Sequence, residues 1–104
     1  MMTFEVEGKE YELKYNVKRT DIIETVTKTP VMLNLTKNDG VMSRVDLVNY
    51  IAYGTKESGT EVFVNPKQGR ELAEKLMESE GYSKCLGMVL ATLQEDCGFF
   101  FRDA

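Results

Sequence analysis

Apolar residues fall on even positions at Met2, Phe4 and Val6, then on odd positions at Tyr11, Leu13 and Tyr15. A strand sends alternate side chains to opposite faces. One apolar face therefore survives this change of parity only if the chain reverses through an even-length turn between Glu7 and Glu10. Residues 2–15 are thereby committed to a β-hairpin. A two-residue turn at Gly8-Lys9 pairs Val6 with Tyr11, Phe4 with Leu13 and Met2 with Tyr15. Gly8 in the first turn position suits a type II′ turn, which needs positive φ there. The opposite face is charged, with Thr3 across from Lys14 and Glu5 across from Glu12. Two strands alone are marginal in water, so the apolar face must lie on helices or on a neighbouring subunit.

The remainder reads as helix. Asn16 is an N-cap for a helix over Val17–Lys28, with Ile22, Ile23 and Val26 as its stripe. Thr29-Pro30 reads as N-cap and first residue of a short helix over Pro30–Lys37, stopped by Asn38-Asp39-Gly40. An extended Val31-Met32-Leu33 is the alternative. Ser43-Arg44-Val45-Asp46 resembles a capping box and opens a helix over Arg44–Tyr53, with Leu47, Val48, Ile51 and Ala52 on one side and Gly54 at its end. Lys56-Glu57-Ser58-Gly59-Thr60 is a polar loop. Asn65-Pro66-Lys67-Gln68 starts a helix that runs to Glu80, burying Leu72, Ala73, Leu76 and Met77, with Gly81 as its stop. The last helix, Tyr82–Cys97, is the most apolar. Its broad face of Cys85, Leu86, Val89, Leu90, Leu93 and Cys97 suits a central position. Gly87 inside it is expected to admit another helix closely. The fold class is α+β, mainly α: one domain over residues 1–104, with a hairpin at 2–15, a core of four or five helices at 17–98 and an apolar tail at 99–104.

Chemistry is scarce. The 104 residues include no histidine, which removes the commonest general base and metal ligand. Phosphate-cradling glycine loops are missing. Lys37-Asn38-Asp39-Gly40 lacks the alternating ligands and closing Glu of a calcium loop. Glu71, Glu74, Glu78 and Glu80, interleaved with Lys67, Arg70 and Lys75, form a solvated helix face. Cys85 and Cys97 lie about 18 Å apart along one helix at about 1.5 Å per residue, beyond disulfide reach. No enzyme, cofactor or metal is expected. A formal charge of −4, with Lys18-Arg19 and Lys84 isolated, argues against a nucleic-acid partner. No apolar run approaches the ~18 residues that span a bilayer, and Met1-Met2-Thr3-Phe4-Glu5 lacks the form of a signal peptide, so the expectation is a cytoplasmic protein without membrane contact.

Phe99-Phe100-Phe101 follow Gly98, where the helical pattern stops. Burying one Phe is worth roughly 1.5–3 kcal/mol, so the triplet either folds back on its own domain or docks on another chain. Tyr50 and Tyr53, three apart on one helix, are core rim or interface. These five residues, Phe99, Phe100, Phe101, Tyr50 and Tyr53, are the candidates for partner binding.

Three stretches in this order resemble one family across nearly the whole chain. They are Thr3-Phe4-Glu5-Val6-Glu7-Gly8-Lys9-Glu10-Tyr11-Glu12-Leu13-Lys14-Tyr15-Asn16-Val17-Lys18-Arg19; then Tyr50-Ile51-Ala52-Tyr53-Gly54 with Phe63-Val64-Asn65-Pro66-Lys67; then Ser79-Glu80-Gly81-Tyr82 and a long apolar helix ending in Asp96-Cys97-Gly98-Phe99-Phe100-Phe101. The family is the tail assembly chaperones of long-tailed, non-contractile phages and related prophages of Gram-positive bacteria. The resemblance implies a non-enzymatic factor that coats the tape-measure protein, keeps it soluble, helps recruit tail-tube subunits and is absent from the finished virion. It also implies a second, longer product made by ribosomal slippage, for which the uridine-rich codons of Phe99-Phe100-Phe101 are a suitable place. Self-association into a homo-oligomer is expected. A virion structural part, such as a head–tail connector or tail protein, and a small regulatory adaptor remain the alternatives.

Overall fold

A computed structural model describes residues 2–36 and 40–101. The chain opens with strands β1 (Met2–Val6) and β2 (Lys9–Leu13), then α1 (Val17–Thr27), α2 (Val31–Thr36) and α3 (Arg44–Gly54). Strand β3 (Thr55–Glu57), α4 (Pro66–Glu80) and α5 (Tyr82–Asp96) follow, with a short 3-10 turn at Gly98–Phe100. The fold is mainly α with an N-terminal antiparallel sheet in the order β1-β2-β3. Phe4, Val6, Tyr11 and Leu13 share the buried face of that sheet with Tyr15 beyond it, so the expected apolar side is the observed one.

The turn and the pairing differ from expectation. The turn residues are Glu7 and Gly8, with φ of 52° and 81°. Positive φ at both positions is the type I′ arrangement, whose twist matches that of the strands. Met2 therefore faces Leu13, Phe4 faces Tyr11, and Val6 faces Lys9. On the other face Thr3 meets Glu12 and Glu5 meets Glu10. The shift is two residues, so every side chain keeps its face. It stacks Phe4 on Tyr11 with ring centroids 5.8 Å apart. It also frees Tyr15 from the ladder, and the Tyr15 hydroxyl donates to the Tyr50 carbonyl at 2.8 Å.

Strand β3 stands where a polar loop was expected. Its Lys56 is 6% exposed, because the ammonium lies 3.1 Å from the Glu12 carboxylate and also donates to the Thr60 carbonyl. Glu12 in turn accepts from the Gly59 N–H at 2.8 Å. A charge pair that satisfies itself in this way can sit under a loop that composition marks as solvent-exposed.

Helix starts follow their caps. Asn16, Ser43 and Asn65 accept from the N–H groups of Arg19, Asp46 and Gln68 at 2.8, 3.0 and 2.8 Å. Helix α1 buries Thr20 and Ile23, whereas Val26 is 41% exposed and does not belong to the core stripe. Its end comes one residue early, at Lys28 in the left-handed region. Helix α2 begins at Val31 rather than Pro30, and its first N–H donates to Glu24 of α1 at 2.7 Å, so Glu24 caps it in place of Thr29. The expected end at Lys37, and Asn38 and Asp39 of the stop signal, lie outside the described residues.

The glycine that admits another helix closely is Gly69, not Gly87. A Cβ on Gly69 would stand 2.5 Å from the Ala52 carbonyl oxygen, so α3 and α4 touch backbone to backbone there. Gly87 is exposed, with nothing within 4 Å of its would-be Cβ. Helix α5 buries Cys85, Val89, Thr92 and Leu93, with Leu86, Met88 and Met77 of α4 partly covered.

Candidate partner-docking surface

The C-terminal segment divides the phenylalanine triplet. Cys97 is fully buried at the end of α5, and the 3-10 turn that follows is held by the Phe100 N–H on the Cys97 carbonyl at 3.0 Å and the Phe101 N–H on the Gly98 carbonyl at 2.9 Å. A tight turn of this type points successive side chains about 120° apart. Phe100 accordingly rests against the core, while Phe99 and Phe101 are each 45% exposed. The Phe99 and Phe100 rings meet at a centroid distance of 4.5 Å, which rests Phe99 on a neighbour that is itself only partly buried against the core.

The tyrosines separate as well. Tyr50 is wholly buried, with its hydroxyl accepting from the Asn34 side chain at 3.3 Å. As placed, its ring offers no surface to a partner. Tyr53 is half-buried against the core, and its carbonyl accepts from Arg19 Nε at 2.8 Å. The Arg19 guanidinium also lies 4.1 Å over the Phe63 ring. Tyr53 and the phenylalanines do not form one continuous site with Tyr50.

A second apolar area lies where the sequence reading placed no functional residue. Met32, Leu33 and Val41 are 39%, 36% and 56% exposed. Leu33 and Val41 face an open groove of about 660 Å³ between α2 and α3, with Asn34, Ser43 and Asp46 along it. The only sequence signal was the apolar run Val31-Met32-Leu33. Six helical residues are too few to reveal which of them points outward.

The titratable groups are arranged for structure. Burial pushes the Cys85 and Cys97 thiols up, which favours the protonated thiol over the nucleophilic thiolate. Burial likewise raises the Tyr15 phenol well above its usual value, and that of Tyr50 to a lesser degree. The Gly59 N–H, followed by the Lys56 ammonium, holds Glu12 below the usual carboxylate range. Among the described residues no group of three or more His, Cys, Asp or Glu side chains is placed to hold a metal ion, and no helix is long and apolar enough to cross a membrane. No protein-family model, curated protein or solved structure matches the chain.

Proposed function

We propose that this chain is a non-enzymatic tail assembly chaperone of a long-tailed, non-contractile phage or prophage. It binds the tape-measure protein, keeps that helical rod soluble in the host cytoplasm, helps bring tail-tube subunits to it, and is left out of the finished virion. The observation that carries the reading is the outward presentation of Phe99 and Phe101 on a base fixed by Phe100. Two aromatic side chains held half-out of a hydrogen-bonded turn offer a large apolar area suited to an apolar stripe on a partner helix. The ordered likeness across residues 3–19, 50–67 and 79–101 supports the same reading, and a net charge of −4 suits a carrier that must keep an aggregation-prone partner in solution. Self-association belongs to the proposal, since copies joined along a rod gain avidity.

Co-expression with the tape-measure protein encoded by the same genome tests it. The tape-measure protein should be recovered soluble and bound to this chain. Phe99→Ser together with Phe101→Ser should return it to the insoluble fraction while this domain stays folded. A tape-measure protein that is equally insoluble with or without the chain would refute the proposal.

A further inference from the structure

The two edges of the sheet are treated differently. At β3, the Glu57 N–H donates to the Val62 carbonyl at 3.0 Å and the Val64 N–H to the Thr55 carbonyl at 3.1 Å, so the segment that follows covers that edge. At β1 nothing equivalent exists among the described residues. The Lys14 N–H donates to the Gly54 carbonyl at 2.8 Å, and Glu12 pairs with Lys56, so even-numbered residues of this strand bond towards β3. Antiparallel ladders alternate. The odd-numbered residues therefore bond to Met2, Phe4 and Val6, and Thr3 and Glu5 turn their N–H and C=O groups outward.

An open trench of about 570 Å³ lies at the turn end of this edge, between β1 and the C-terminal half of α4, lined by Glu5, Val6, Glu7, Lys75, Glu78 and Ser79. Its charge is unbalanced. Lys75 is already taken by Glu7 at 2.6 Å, and neither Glu5 nor Glu78 has an ionic partner among the described residues. Glu5 also faces Glu10 across the hairpin. A second copy of β1 laid on this edge would add its own glutamates to that face, and like charges side by side oppose pairing. A strand carrying positive charge meets the reverse situation.

We propose that the outer edge of β1 accepts an extended, lysine- or arginine-bearing segment of another protein as a fourth strand. Its backbone pairs with Thr3 and Glu5, and its cationic side chains lie against Glu5 and Glu78. Backbone pairing gives affinity in such strand addition, and alternate side chains give selectivity. The surface is separate from the phenylalanine turn and takes an extended partner rather than a helical rod, so it extends beyond the chaperone proposal.

Three blocked synthetic peptides of about seven residues, enough for one strand, test this on the intact chain. One alternates lysine and valine, one alternates glutamate and valine, and the third is the lysine peptide N-methylated at every backbone amide. Fluorescence anisotropy should show the lysine peptide binding about tenfold or more tighter than the glutamate peptide, with the N-methylated form losing its affinity. Amide exchange at Thr3 and Glu5 should slow on binding, and Glu5→Lys should abolish or invert the preference. The proposal is overturned if the lysine peptide does not bind, if the lysine and glutamate peptides bind alike, or if N-methylation leaves binding intact. Protection of Thr3 and Glu5 that grows with protein concentration alone would assign the edge to a second copy, and would overturn it too.

Discussion

Gly69 and Gly87 occupy helices of the same length, yet only one of them is needed as glycine. At Gly69 the carbonyl oxygen of Ala52 stands where a Cβ would lie, 2.5 Å away, so a methyl group forces α3 and α4 apart. Overpacking of this kind costs about 1–3 kcal/mol, against which the better helix propensity of alanine, about 1 kcal/mol, works in the opposite direction. Gly69→Ala should therefore lower the urea midpoint. Gly87→Ala, with open space around it, should raise stability by up to about 1 kcal/mol. Equal shifts for the two would show that the backbone contact does not set the helix spacing. Titration acts at the same scale. Glu12 is held below its usual value near 4.5, so its contribution to stability is complete above that pH and fades as pH falls through the lowered value. Tyr15 and Tyr50 ionise above their usual value of 10.0, so the unfolded chain loses those protons first and stability declines as pH rises past 10.0. Urea unfolding across pH should show both declines, with the acid one shallower in Glu12→Gln and the alkaline one shallower in Tyr15→Phe.

Elements were legible wherever a side chain closes a helix start. Asn16, Ser43 and Asn65 each mark their helix within the capping residue itself, because the cap is a local bond between residues three apart. The hairpin was legible in face but not in register. A two-residue slide leaves the apolar pattern unchanged, and the choice rests on Glu7 adopting a left-handed φ that its residue type disfavours. Strand β3 was hidden for another reason: Lys56 is buried only through Glu12, forty-four positions earlier, which no local pattern records. The face assignment can be checked by substitution. Phe4→Ala should cost about 3–5 kcal/mol, the usual loss for a buried Phe, while Glu5→Ala on the exposed face should change stability by less than about 0.5 kcal/mol. Comparable small losses for both would show that the hairpin does not seal the core.

At the scale of the molecule, two groups stand out among the exposed apolar residues, which also include Val17, Val26, Val45 and Val62: the turn with Phe99 and Phe101, and the α2–α3 groove with Leu33 and Val41. The first was visible in the sequence because three aromatic residues stand together. The second was not, since it is assembled from a short helix and a loop whose separation on the surface only the fold defines. Tyr50 shows the converse, an aromatic side chain of plausible interface type that the fold places at the centre of the core. If the phenylalanine turn also joins copies of this chain, sedimentation at micromolar concentrations should show species larger than the 11.8 kDa monomer. Phe99→Ser with Phe101→Ser should return the distribution to monomer, and a wild-type monomer at every concentration would count against self-association.

The Glu24 cap on α2 has a consequence for how the molecule breathes. A helix of six residues has no stability of its own, and its first amide is held by a side chain that belongs to α1. Helix α2 is therefore expected to open and reclose as a unit while the sheet and α3–α4 stay intact. Its amides should exchange through this sub-global opening, faster still in Glu24→Gln, with α4 exchange unchanged. Whatever seats against Leu33 must clamp that opening shut, so occupancy of the groove would register as slowed exchange in α2 before any change of shape is seen.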